Sequence, residues 1–293
     1  MKLKTFIEAV EKERLKVEGV VIFQQGREAL EPELARHRWI QEQRRNIRSV
    51  AKGFTSIAIG MAIDEGKLKL SDKPSQVLNR NAINTEQKAS WDSVTLEHLL
   101  TMTLGHKGFS RSMSLEEAFS LELSREPGSV FCYDNTCAFL ASAMLTKATG
   151  LTPRDYLMDR LFKPLGIPAP EWAESSDGYT IGGTGLFLTT TEMARFGQFL
   201  LQRGYWEGKQ LVSAAWIEAA TKVHVSTGKS DGSSGFNQGY GYFFWISPGG
   251  IFRCEGSDGQ FILVFPDQDT VIAICSEEEN MAGILRAVWD YLK

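Results

Sequence analysis

Apolar residues recur at helical spacing across residues 3–16, where Phe6, Ile7 and Val10 form one stripe between charged neighbours. The run Glu18-Gly19-Val20-Val21-Ile22-Phe23 then predicts a strand, closed by a turn at Gln25-Gly26. After the polar segment 31–46, Phe54 to Ile63 is apolar on every side, which predicts a helix buried all round, with Gly66 as its stop signal. Residues 67–200 read as largely helical. One helix opens at Thr95 as N-cap, one follows Asn135 and ends before Gly150, and one runs from Thr152-Pro153 to Phe162. Pro164, Gly166, Pro168 and Pro170 interrupt the pattern before an amphipathic helix over 191–202.

Past residue 226 the character changes. A Gly/Ser-rich loop over 226–239 suits either a lid or an idle surface connection. Strand-like runs follow at 240–246, 251–255, 260–266 and 270–276, and Met281 to Leu292 predicts a closing amphipathic helix. Consecutive hairpins imply an antiparallel sheet, and the strand near residue 20 has no other sheet to join. The fold class expected is α/β: an antiparallel sheet flanked by N- and C-terminal helices, with an inserted helical domain. The boundaries place 1–66 and 200–293 in the sheet domain and 67–199 in the helical one, with the site between them.

Composition narrows the function classes. The 293-residue chain is 43% hydrophobic and 23% charged, with a formal charge of −4 and no Lys/Arg-rich block, so nucleic acid is not an expected partner. The N-terminal residues lack a signal-type apolar stretch and no run of apolar residues is long enough to span a bilayer, so a cytoplasmic placement is expected. Cys132, Cys137, Cys254 and Cys275 form no C-x-x-C pair. His37, His98, His106 and His224 show no zinc-ligand spacing, and neither a metal nor an organic cofactor is expected.

Ser49-Val50-Ala51-Lys52 supplies the first candidate chemistry. On a helix, positions i and i+3 share a face, which brings a hydroxyl within reach of an amine. A neutral amine there can take the proton from an attacking serine. Lowering a lysine from about 10.4 to about 7 corresponds to roughly 4–5 kcal/mol, which burial can supply. An N-cap serine beside a solvated lysine accounts for the same four residues. A second match, Ser226-Thr227-Gly228-Lys229, falls in the Gly-rich loop, where nothing would bury the amine. Tyr133-Asp134-Asn135, just before a predicted helix, adds a phenol for proton transfer and an amide that can bond substrate and Lys52; a core aromatic with an Asn N-cap is the bland alternative. On the strand Arg253-Cys254-Glu255-Gly256-Ser257, backbone N–H groups could face an acyl substrate and, with the Ser49 N–H, form an oxyanion hole; a plain glycine bulge is the alternative.

The order S-x-x-K, Y-x-N, Gly-rich strand resembles the serine β-lactamase/penicillin-binding protein superfamily, on the class C-like side, because Y-x-N stands where class A relatives carry S-D-N. Gly53-Phe54-Thr55, Leu99 to Thr103, Glu126-Pro127-Gly128, Leu161 to Ile167, Gly183 to Leu186 and Gly239 to Tyr242 are similar as well, so the resemblance spans roughly residues 18–292. It implies a β-lactamase/transpeptidase-like fold. It further implies Ser49 as acylated nucleophile, Lys52 and Tyr133 as a coupled base, Asn135 as a substrate-binding amide, and Gly256 and Ser257 at the oxyanion strand. The family's third motif begins with Lys or His; here Cys254-Glu255-Gly256 keeps only the glycine. Without that cation, an anionic β-lactam or peptide carboxylate is a weaker expectation than a varied ester or amide. The resulting expectation is a serine acyl hydrolase of esterase, amidase or peptidase type acting on a small-molecule ester, amide or peptide. A D-Ala-D-Ala carboxypeptidase or weak β-lactamase, and a non-catalytic binding or sensor protein, are the alternatives.

Overall fold

Hydrophobic periodicity at both termini and in the C-terminal third builds one sheet. The structure, a computed structural model, describes residues 2–28, 43–78, 87–228 and 236–292. Helix α1 (Lys2–Lys12) leads into β1 (Val17–Gln24) and the short β2 (Arg27–Glu28). A two-residue strand β3 (Arg45–Asn46) precedes α2 (Ala51–Asp64). Helix α3 (Asn135–Thr149), strand β4 (Phe187–Leu188) and α4 (Thr190–Leu201) follow, then the hairpin β5 (Tyr205–Trp206) and β6 (Lys209–Gln210), and α5 (Ala214–Ala220). The chain ends with β7 (Gly239–Tyr240), β8 (Trp245–Ile246), β9 (Phe252–Gly256), β10 (Gln260–Phe265), β11 (Thr270–Ser276) and α6 (Met281–Leu292).

Seven strands form an antiparallel sheet in the order β2-β1-β11-β10-β9-β8-β7, so the N-terminal strand pairs with the last one. Register fixes which side each residue faces. Val20 opposite Ile274, Ile22 opposite Ile272 and Leu263 opposite Ile272 point to an outer layer with Phe6, Ile7 and Val10 of α1 and Leu285 and Val288 of α6. Their alternates Val21, Ala273, Val264, Ile262 and Cys254 point inward to a larger core containing α2, α3 and α4. Side chains one residue apart on a strand leave on opposite faces, which separates these two cores. Helix α4 lies on β1, β10 and β11, covering the inner face. The expected α/β class, with helices from both termini against an antiparallel sheet, is the observed one.

Several local expectations differ from the structure. The region between α2 and α3 is built of helices of four or five residues at 74–77, 88–91, 96–100 and 115–119 joined by turns, rather than long helices. The one at 96–100 begins with Thr95 in a capping box with His98 and is followed by Met102 in a left-handed backbone conformation. Beyond Thr152, regular helix stops at Leu157 and continues as a π-type turn over Met158–Phe162. The run 240–246 is no single strand. It folds into the β7–β8 hairpin, and the Tyr242 and Phe243 N–H groups donate to the Ala220 and Leu100 carbonyls instead of a ladder. Gly241 is required there, because a Cβ would stand 2.1 Å from the Ala220 carbonyl oxygen. An apolar run of that length does not distinguish a strand from a tight aromatic hairpin. Of the loop 226–239, residues 229–235 lie outside the described residues, and so do Lys229 of the second S-x-x-K match and His37.

Candidate active site

Three segments distant in sequence meet at the open end of β9. Ser49 sits in a 3-10 turn, Arg48–Val50, that runs directly into α2. The β3–β4 ribbon holds this turn in place. The Ile47 N–H donates to the Leu186 carbonyl at 2.9 Å, and Asn46 Oδ1 accepts from the N–H groups of Arg48 (2.9 Å) and Gly185 (3.2 Å). Arg48 adopts φ 53°, a conformation that costs a non-glycine residue energy and is found where surrounding structure imposes it.

One helical turn on, Lys52 is 1% exposed. Its Nζ lies 2.9 Å from Ser49 Oγ, 2.5 Å from Asn135 Oδ1 and 3.0 Å from the Gly183 carbonyl oxygen. The two last groups are acceptors only. A neutral amine has two N–H bonds and one lone pair, so with both hydrogens given to Asn135 and Gly183 its lone pair faces Ser49. Burial lowers the Lys52 pKa from 10.5 to about 7, against the opposing influence of Cys137 and Asp134 and with a small push from Arg111.

Asn135 can reach Lys52 because it does not cap its own helix. Asp134 is the N-cap, accepting from the Thr136 N–H at 2.8 Å and from the Ser110 hydroxyl at 2.7 Å. The sequence admitted Asn135 as the cap; its neighbour takes that role and leaves the amide for the site. The Asn135 Nδ2 has no protein acceptor among the described residues, so it is available to a ligand carbonyl.

Tyr133 is half-buried, and the Lys52 Nζ is 4.9 Å from its ring centroid. Its ring stacks on Trp245 with centroids 5.7 Å apart. Burial pushes the phenol pKa well up, the nearby Ser49 hydroxyl only partly offsets this, and Glu255 and Cys254 add to the rise, so the phenol keeps its proton.

Gly256 ends β9 directly against the serine turn. A Cβ there would meet the Ile47 carbonyl oxygen at 2.7 Å and Arg48 Cβ at 2.9 Å, so only glycine permits this approach. Ser257 follows as an exposed residue of the β9–β10 turn, and an Arg48–Asp258 ion pair of 3.0 Å ties that turn to the nucleophile segment. Cys254 faces inward, its Sγ only 2.5 Å from where a Cβ on Gly53 would stand. Among the described residues, no cluster of His, Cys, Asp and Glu gathers to hold a metal.

Sequence reasoning did not single out the Gly183 carbonyl as a site group. The Gly182-Gly183-Thr184-Gly185 stretch carried the signal: Gly182 has φ +72°, and a side chain at Gly183 would press on Asn135 Oδ1 and Lys52 Nζ. Thr55, one turn after Lys52, holds this loop through its hydroxyl to the Gly182 carbonyl at 2.7 Å.

The Beta-lactamase family profile matches residues 7–291. A Beta-lactamase of Escherichia coli K12 is 30% identical over 150 residues, 46% of this chain but only 38% of that protein's own length. Penicillin-binding protein 4 of Amycolatopsis lactamdurans is 24% identical over 271 residues, covering 77% of this chain and 70% of its own. The octameric penicillin-binding protein homologue from Pyrococcus abyssi superposes with a TM-score of 0.73 at 20% identity over 98% of this chain and 76% of that one. A penicillin binding protein from Bacillus halodurans gives 0.69 at 18% identity, covering 98% and 100%. No helix among the described residues is long and apolar enough to cross a membrane. The chain belongs to the Beta-lactamase family.

Proposed function

We propose that this protein is a serine acyl hydrolase that works through an acyl-enzyme on Ser49. The observation that carries the reading is the Lys52 amine, 2.9 Å from Ser49 Oγ, with its other two neighbours able only to accept. In the first step Ser49 Oγ forms a bond to the substrate carbonyl carbon and its proton passes to Lys52 Nζ. Negative charge collects on the carbonyl oxygen, held by the backbone N–H groups of Ser49 and Ser257; losing one such donor costs about 3–4 kcal/mol. The bond to the leaving group breaks, and that group takes the proton that Lys52 received from Ser49, handed on by the Tyr133 phenol, which gives one proton to the leaving group and takes one from Lys52. Water then attacks the ester carbon and gives a proton to Lys52, which passes it to the departing Ser49 oxygen as the acid product is released. Asn135 Nδ2 orients the substrate by donating to its carbonyl. Tyr133 keeps its proton and Lys52 readily loses its own, so the amine is the base and the phenol the relay.

Exposure to a fluorophosphonate followed by intact-mass analysis tests this directly. One adduct on the wild-type chain, absent from Ser49→Ala, is expected, together with turnover of p-nitrophenyl esters or D-amino-acid amides that Ser49→Ala lacks. Full turnover by Ser49→Ala, or an unlabelled wild-type chain, would overturn the reading. Nitrocefin hydrolysis faster than that of every ester and amide would move the protein to the β-lactamase side of the family.

A further inference from the structure

The strand β9 carries a carboxylate where the family's third motif offers none. Side chains alternate along it: Cys254 and Gly256 face α2 and the serine turn, so Arg253 and Glu255 face the other way. Trp245, paired with Arg253 across β8 and β9, lies on that same side, and Tyr133 stacks on it.

Arg253 is fully buried. Its Nε and one Nη nitrogen both lie 2.8 Å from Glu255 Oε2, and its other contacts are the Ser247 hydroxyl (2.7 Å), the Phe236 carbonyl (3.4 Å) and Asn237 Oδ1. A buried arginine whose donors go to protein oxygens leaves nothing for a ligand anion. It acts as a rigid mount for its partner. Glu255 reaches solvent, its side chain 20% exposed, and Oε1 accepts no hydrogen bond from the described residues. The free oxygen therefore stands next to Gly256 and Ser257, at the edge of an aromatic wall made by Tyr133 and Trp245. Of the cations nearby, Arg48 is paired with Asp258, and the Lys52 amine beside Tyr133 is bonded to Ser49, Asn135 and Gly183.

A carboxylate oxygen held in place beside an aromatic surface matches a protonated amine, through one charge-assisted hydrogen bond and favourable contact with the ring faces. It repels a ligand carboxylate at the same point. We propose that Glu255 is a specificity-determining residue that binds a protonated amine of the substrate, so that this enzyme acts on amine-bearing esters or amides in preference to carboxylate-bearing ones. The proposal deepens the acyl-hydrolase reading above and rests on it.

Two matched sets of p-nitrophenyl and alkyl esters test it, one ending its acyl chain, the other its leaving alcohol, in ammonium, methyl or carboxylate. The ammonium ester should exceed its methyl counterpart about tenfold or more in kcat/KM in one set, the scale of one charge-assisted contact. Glu255→Gln keeps the shape and should collapse that ratio, and added salt should shrink it in the wild type only. Calorimetric titration of the corresponding ammonium and methyl amides onto Ser49→Ala, with and without Glu255→Gln, reads the same preference without turnover. Ester turnover with no ammonium preference, or a preference untouched by Glu255→Gln, overturns the proposal. Glu255-dependent binding of the ammonium amide in a chain that turns over no ester supports the amine site and overturns the hydrolase reading instead.

Discussion

An amine buried to 1% exposure between two carbonyl-type acceptors and a serine gives up its proton far more readily than a free lysine. With the Lys52 pKa at about 7, kcat/KM for a neutral ester should rise with pH through about 7 and level off above it, because only the unprotonated amine accepts the Ser49 proton. A flat profile between pH 5.5 and 8.5 would contradict this. The same shift sets a stability trend of known sign. Between about 7 and 10.5 the unfolded chain holds a proton on Lys52 that the folded one has lost, so this group makes the protein more stable as pH rises across that window. Burial of the amine costs about 5 kcal/mol at the acid end. Lys52→Met should therefore raise Tm near pH 7 and remove the upward slope while abolishing turnover, as pH-dependent thermal unfolding would read. Gly183 belongs to the same residue-scale account, since its carbonyl takes one of the two amine hydrogens.

At the scale of elements, α2 carries the site because nothing on it faces water until its last turn: Ala51 to Ala62 are all buried. A helix in that position is placed by packing on every side rather than by its own propensity. Its glycines mark the closest approaches. A Cβ on Gly60 would lie 2.3 Å from the Trp216 ring of α5, so Gly60→Ala forces overpacking that costs about 1–3 kcal/mol and outweighs the helix propensity gained, about 1 kcal/mol. A lower Tm for Gly60→Ala by calorimetry is the expected outcome; an unchanged or higher one would show that Trp216 yields freely. Strand β9 acts as the opposite jaw. Its last residue, Gly256, lies against the serine turn, and the alternation along it assigns Cys254 to the inner core and Glu255 to the opposite face, across from Phe261.

For the whole molecule, the sheet separates two cores with different duties. The inner one contains α2, α3 and α4 and surrounds the site, while the outer one joins α1 and α6 against β1, β10 and β11. Leu285 of α6 is 2% exposed in the outer core. Leu285→Ala should destabilise the fold by about 2–5 kcal/mol through the cavity it leaves. Fluorophosphonate labelling of Ser49 well below the unfolding transition should stay at the wild-type rate, because the sheet lies between the cavity and the serine. A denaturant titration paired with labelling kinetics checks both halves, and slowed labelling in the folded range would show that the two cores are coupled.

Local pattern alone was enough for the α/β class, the terminal helices, the all-buried character of α2 and the pairing of Ser49 with Lys52, because each depends on residues a few positions apart on one element. Capping and periodicity act over such distances, so they are written in the order of the residues. Tertiary structure decided the rest. The short helices before α3 and the 240–246 hairpin follow from backbone groups bonding to distant carbonyls, which no local period encodes. Which acceptors close around the Lys52 amine depends on loops 83 and 131 residues away in sequence, and which way Glu255 faces depends on strand register, since a step of one position along a strand turns every side chain to the other face.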